Sequence, residues 1–284
     1  MGVNLTTSHP VGSDLFDQLY ELFRPERLLD DPRATGAGVR VAIVDTGVER
    51  STLEQRAVEL GRPQPRISGA VFRPDSPDPL PWDGHQSTPH GTIVADILLN
   101  IAPEIELFSA DVFGPGGSRQ DANCEVETVI RAMRHAIEVW DCKIINLSLG
   151  VPEHRLQQIP RRYQFLRAIE EGYFRDVLIF AAAHNEHPIT RSYPAAFATP
   201  LISVDRAVYA NPLEFAYFLC DHIEFRAHAQ GYLGPFTREP TTSWATPHLA
   251  GIAARILSLR PNLKPFEIKT ILYWMSQAIA NKKA

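Results

Sequence analysis

Val39-Arg40-Val41-Ala42-Ile43-Val44-Asp45-Thr46-Gly47 is the stretch on which the fold turns. Val41 to Val44 is apolar without alternation, and Gly36 and Gly38 punctuate it in front. A strand of this kind is buried on both faces, as in a parallel sheet covered by helices on each side. Working outward, Ile93, Val94, Ile97, Leu98 and Ile101 recur at helical spacing, so His90 to Ala102 reads as a helix. Ile105 to Phe113 reads as a strand, Glu125 to Trp140 as a helix, Lys143 to Leu149 as a strand and Arg161 to Phe174 as a helix. Val177 to Ala183 and Leu201 to Val204 are further strands, and Leu213 to His228 is β-rich but irregular. Ser243 to Leu259 and Pro265 to Ala280 close the chain as helices. This alternation predicts an α/β fold, three layers α/β/α with a mostly parallel central sheet. Leu15, Phe16, Leu19, Leu22 and Phe23 predict a short amphipathic helix near the start. Arg73 to Pro89 carries Pro74, Pro77, Pro79 and Pro81, and no regular element is expected there. No repeat and no long linker divides the chain, which predicts an N-terminal arm over 1–36 and one domain over 37–284.

The composition narrows the function classes. The 284 residues carry 28 basic and 33 acidic side chains, a net charge of −5, and 44% are hydrophobic. That is enough apolar content for a large core, and it lacks the basic excess of a nucleic-acid or anionic-membrane binder. No apolar run approaches the ~20 residues that span a bilayer. Met1 to Pro10 is polar, with neither the basic nor the apolar region of a secretory signal. Met1-Gly2-Val3-Asn4-Leu5-Thr6 fits the loose myristoylation pattern and is read as chance. Cys124, Cys142 and Cys220 are an odd, scattered set, which argues against disulfides and zinc fingers and for a reducing compartment. The expected localisation is therefore cytoplasmic.

Functional groups in such sheets gather at the carboxyl ends of strands. Asp45 directly follows a strand, His90 opens a helix after the proline loop, and Ser243 opens another helix behind Thr241-Thr242. An acid, an imidazole and a hydroxyl are the parts needed to activate a serine. Asn185, after the strand that ends in Ala181-Ala182-Ala183, supplies an amide able to donate to an oxyanion. Each residue alone has a plain structural explanation, since Asp forms turns and His and Ser cap helices.

Their contexts carry a resemblance. Val41-Ala42-Ile43-Val44-Asp45-Thr46-Gly47, His90-Gly91-Thr92-Ile93-Val94-Ala95, Ile145-Asn146-Leu147-Ser148-Leu149-Gly150, Ala181-Ala182-Ala183-His184-Asn185-Glu186 and Thr242-Ser243-Trp244-Ala245-Thr246-Pro247 resemble, in that order, five motifs of the subtilisin-like serine proteases. The resemblance spans roughly residues 36 to 260 and implies a subtilisin-like fold. It implies Asp45, His90 and Ser243 as a catalytic triad and Asn185 as oxyanion donor. It also implies that an extended polypeptide binds as an added strand between Gly116-Gly117-Ser118 and Ser148-Leu149-Gly150. His184 is expected to line the first specificity pocket, with Gly150, Ala182 and Ser192 at its base and Glu186 at its rim.

The chain departs from the family at four places. His184 and Thr241 stand where glycine is usual, Trp244 where Met is commoner, and Asp96 where the histidine helix often carries glycine. If those two glycines need positive φ, His184 and Thr241 impose strain. Leu99-Asn100-Ile101-Ala102-Pro103 runs straight on where many members insert a calcium loop, so neither metal nor cofactor is expected. The function read from the sequence is a serine endopeptidase with a narrow processing role, gated by a regulatory protein partner. The alternative is an impaired pseudoprotease that binds extended peptide segments. An esterase or transpeptidase working through the same acyl-enzyme is the third reading.

Overall fold

The computed structural model describes residues 18, 21–113, 125–234 and 239–283. The elements run α1 (Pro25–Leu29), β1 (Arg40–Asp45), α2 (Arg50–Glu59), β2 (Arg66–Val71), β3 (Leu80–Pro81), α3 (Pro89–Ile101), β4 (Glu106–Asp111), α4 (Val126–Glu138) and β5 (Ile144–Leu147). They continue with β6 (Val151–Pro152), α5 (Ile159–Phe174), β7 (Leu178–Ala182), β8 (Ser192–Tyr193), β9 (Ile202–Ala207), β10 (Phe215–Cys220), β11 (Ile223–His228), α6 (Thr242–Leu259) and α7 (Pro265–Lys283). The main sheet has the order β10-β11-β9-β7-β5-β1-β4-β2-β3. Every neighbouring pair from β11 to β2 is parallel, and only the edge strands β10 and β3 run antiparallel.

The two sides of β1 show why the strand reads apolar throughout. Val41 and Ile43 join one core, beneath α3 and α6, while Ala42 and Val44 join the other, beneath α4 and α5. The fold is thus three layers, with a core on each side of the sheet. After β4 the chain crosses through α4 to β5, on the far side of β1. Ligand crevices in open sheets form at such reversals, outside the carboxyl ends of the strands.

One expectation needs correction. The proline loop does hold a short strand, because Leu80 and Pro81 pair with Val71 and Ala70 at the sheet edge. An edge strand tolerates proline, since one side of its backbone needs no ladder partner. Arg131 reaches up from α4 to the carbonyls of Arg73, Ser76 and Pro77, which explains how so proline-rich a segment is held. The β-rich, irregular reading of 213–228 agrees with the structure, a β10–β11 hairpin with a register shift between Tyr217 and Cys220.

The described part of the arm packs on the end of α6. Arg255 donates to the carbonyls of Ala34 and Leu29, and Ser258 donates to Arg33 O at 3.2 Å. Phe23 stacks on Trp274 of α7 at 6.3 Å. At 1.5 Å rise per residue, Ser258 lies roughly 22 Å along α6 from Ser243, so this part of the arm sits away from Ser243. No described helix is long and apolar enough to cross a membrane. Cys142 is a buried thiol whose pKa burial pushes up, and Cys220 is half-buried; neither forms a disulfide, and Cys124 lies outside the described residues.

Candidate active site

Asp45 is the last residue of β1 and 1% exposed. His90 is the second residue of α3, after Pro89, whose fixed φ suits the first helical turn. Their side chains meet at 2.7 Å, Nδ1 to Oδ1. A carboxylate only accepts, so the proton sits on Nδ1 and Nε2 is left as the acceptor. The same Asp45 Oδ1 accepts the Thr46 N–H at 2.8 Å.

The two residues after Asp45 explain how the pair is held. Thr46 Oγ1 donates to Thr88 O at 2.9 Å and accepts the Gly91 N–H at 3.0 Å. One hydroxyl thereby stitches the start of α3 to the end of β1. Gly91 is required by contact rather than by φ. A Cβ there would lie 2.1 Å from Gly47 O, against backbone. On the same helix Asp96 is buried, 3.5 Å from Arg56 Nε; burial raises its pKa and Arg56 opposes the rise.

Ser243 is the second residue of α6 and is 4% exposed. Pro247 lies four residues on and has no N–H, so the Ser243 carbonyl lacks its helical partner from that residue. The Ser148 hydroxyl supplies one instead, donating to Ser243 O at 2.9 Å. In return Ser243 Oγ donates to Ser148 O at 3.3 Å. The end of β5 and the start of α6 are therefore pinned together. His90 Nε2 is buried, with no hydrogen-bond partner among the described residues. The Trp244 ring lies tilted against the His90 ring at 5.0 Å, placing the imidazole against the start of α6.

Asn185 follows β7 in an exposed turn. Its Oδ1 accepts the Thr242 N–H at 3.0 Å and the Thr242 hydroxyl at 3.2 Å. Thr241, the residue in the N-cap position, makes no side-chain cap bond, so Asn185 caps α6 from another element. With Oδ1 turned to the helix start, Nδ2 faces the other way as a donor. Helix N-termini favour negative charge, and these groups converge there.

The structure thus brings Asp45, His90, Ser243 and Asn185 to one edge of the sheet. Ser148 belongs to the same cluster, and Leu149, Gly150, Ala182 and His184 lie on the adjoining β5 and β7 ends. Gly116, Gly117 and Ser118 fall outside the described residues. A Cβ at Gly150 would lie 3.1 Å from Ser192 Oγ, so Gly150 packs closely on the buried Ser192. His184 Nδ1 accepts the Glu186 N–H at 3.1 Å, and burial lowers the His184 pKa more than Glu186 raises it. The expected strain is absent. Thr241 has φ −129° and ψ 155°, and His184 is not among the described positive-φ residues. Neither position lies in the left-handed region, so neither residue carries that strain. His184 and His187 do not build a metal centre, and no such cluster of three ligands occurs among the described residues.

Sequence reasoning missed the Ser148 staple and Arg206. Arg206 Nη1 donates to Asn185 Oδ1 at 3.3 Å. The signal was present as Asp205-Arg206, a charged pair ending an otherwise apolar strand.

Comparison with known proteins follows the same lines. A family model described as the subtilase family matches residues 36–212 and 225–283. M-protease of Shouchella clausii (strain KSM-K16) is 29% identical over 257 residues, covering 87% of this chain and 61% of that protein. Subtilisin Savinase of Lederbergia lenta is 29% identical over 248 residues, covering 84% of this chain and 83% of that protein. The chain thus spans about six tenths of the length of the first relative and most of the second. Among solved structures, a lanthipeptide protease superposes with TM-score 0.62 at 20% identity, covering 92% of this chain and 87% of that one. At that identity the likeness speaks for the fold.

Proposed function

The chain belongs to the subtilase family, and on that premise we propose that it is a serine endopeptidase with Asp45, His90 and Ser243 as its triad and Asn185 as its oxyanion donor. The observation that carries the reading is the buried 2.7 Å Asp45–His90 bond beside Ser243 at the start of α6. In this reading the Ser243 hydroxyl turns from Ser148 O to His90 Nε2 when substrate binds. His90 takes its proton, Oγ attacks the peptide carbonyl, and Asp45 keeps the imidazolium oriented. Asn185 Nδ2–H and the Ser243 N–H receive the oxyanion at the positive end of α6. His90 then gives the proton to the leaving amine. Water, activated by His90, hydrolyses the acyl-enzyme.

The substrate is an extended polypeptide laid beside Ser148-Leu149-Gly150, where glycine permits close approach of backbone. Its side chain before the scissile bond enters the pocket lined by Gly150 and Ala182, with Ser192 at its base and His184 as a neutral polar wall. Cys142 and Cys220, unpaired among the described residues, fit a reducing compartment, and a peptidase in such a compartment needs restraint. The proposal therefore includes a narrow processing role under a regulatory protein partner.

One observation favours a second reading, a binder of extended peptides that does not cut. Ser243 Oγ donates to Ser148 O, while His90 Nε2 has no hydrogen-bond partner among the described residues. Catalytic hydrogen bonds often tighten only in the substrate complex, and the buried Asp45–His90 bond supports the peptidase reading, which is preferred. Incubation with a quenched-fluorescent peptide library decides between them. Cleavage by the native sequence that vanishes in Ser243→Ala supports the peptidase. Cleavage that persists in Ser243→Ala refutes the mechanism, and peptide capture without cleavage by either form establishes the binder.

A further inference from the structure

Arg206 stands at the carboxyl end of β9, and its guanidinium bridges two segments that meet at the site. Nη1 donates to Asn185 Oδ1 at 3.3 Å and to Pro240 O at 3.2 Å. The first contact is on the turn after β7. The second is on the segment that leads into α6 and Ser243. Asn185 Oδ1 therefore faces three donors, Arg206 and both polar groups of Thr242. An amide oxygen has two lone pairs, so these donors saturate it and fix which end of the amide faces outward.

The charge of Arg206 is also directed. Asp205 is its immediate neighbour, but the Asp205 carboxylate is engaged elsewhere. Oδ2 lies 3.4 Å from Arg226 Nε and 3.6 Å from His187 Nδ1, and Oδ1 accepts the Arg206 backbone N–H at 2.8 Å. Among the described residues no carboxylate lies within ion-pair distance of the Arg206 guanidinium. A guanidinium keeps its charge at every working pH. Held on Oδ1, it draws electron density from the amide and makes Nδ2–H a stronger donor.

We propose that Arg206 is a positioning residue for the oxyanion site: it locks the Asn185 amide with Nδ2 outward and polarises it toward the developing negative charge. This rests on the reading of Asn185 as oxyanion donor. Arg206 touches no reacting atom, and its whole effect passes through Asn185. Removing an oxyanion donor costs about 10²- to 10³-fold in kcat. Arg206 is exposed and partly screened, so its removal is expected to cost roughly tenfold.

The test is a double-mutant cycle on the full chain, with kcat and KM on one cleaved peptide. Rates are taken per competent site, counted by fluorophosphonate titration, so that misfolded protein does not enter. Arg206→Gln should lower kcat about tenfold with KM within about twofold, and Arg206→Lys should fall between. In the Asn185→Ala background, adding Arg206→Gln should change kcat by less than about twofold. An undiminished Arg206→Gln penalty in that background, or one that falls on KM, overturns the proposal while leaving Asn185 in its role. An Asn185→Ala variant with native kcat overturns both. If Arg206→Gln does not fold, the same cycle run with Arg206→Lys decides by the same criteria.

Discussion

Gly91→Ala tests how the site is held more sharply than removal of a catalytic group would. The added Cβ would stand 2.1 Å from Gly47 O, and real Cβ contacts essentially never fall below 3.0 Å. The start of α3 and the turn after β1 must therefore separate by about 0.9 Å at least. Neither side yields easily. Thr46 Oγ1 binds Thr88 O and the Gly91 N–H, and Gly47 is held at φ +77°. Alanine favours a helix over glycine by up to ~1 kcal/mol, whereas overpacking a rigid contact costs ~1–3 kcal/mol. The clash wins, and thermal unfolding should fall by a few degrees for a chain of this size. The larger effect is on rate, because His90 is the preceding residue and moves with Gly91. A misplacement near 1 Å costs on the order of 10²-fold. We expect kcat per titrated site to drop about a hundredfold with KM nearly unchanged. Gly38→Ala is the control. Unlike Gly91 it has a positive φ, +76°, with open space around it and no link to the site, so it should lose stability and keep kcat. A Gly91→Ala variant with native kcat and native melting temperature would refute the claim that this backbone contact sets the position of His90.

Three further outcomes are expected. Trp244→Ala should cost ~3–5 kcal/mol in denaturant unfolding by opening a cavity against the His90 ring, whereas Trp244→Met, which refills part of that space, should cost less and retain activity. His248 is buried neutral, between Tyr232 OH and Trp244 O, and burial pushes its pKa down to about 3 from an ordinary value of 6.5. The unfolded chain then binds a proton that the folded one refuses, so stability is lost as pH falls from about 6.5 toward 3; His248→Gln should reduce the pH slope of unfolding free energy in that window by about one proton, and an unchanged slope would contradict the assignment. Arg131→Ala should free the carbonyls of Arg73, Ser76 and Pro77, so limited proteolysis should cut that loop faster than in the native chain.

How much of this was legible in the sequence follows from which forces are local. The strand before Asp45 and the helices of His90 and Ser243 were readable because apolar spacing records burial, and these elements are buried against a core. Helix α2 and strand β2 were missed. Arg50–Glu59 is mostly polar and buries only Leu53 and Ala57, and β2 alternates weakly at the sheet margin. The four chemical groups were visible through the order of their motifs, not through any single residue. What joins them was not visible. Ser148 is tied to Ser243 across 95 residues, and Arg206 reaches Asn185 by strand order. The strain expected at His184 and Thr241 followed from a family glycine, and the actual φ at these positions removes it.

The most direct measurement of the central claim is intact-mass spectrometry after treatment with a fluorophosphonate, on the native sequence beside Ser243→Ala and His90→Ala. One adduct, mapped to Ser243, is expected on the native sequence alone. An adduct that persists in Ser243→Ala, or no adduct on the native sequence under conditions where it cleaves peptide, would contradict that claim.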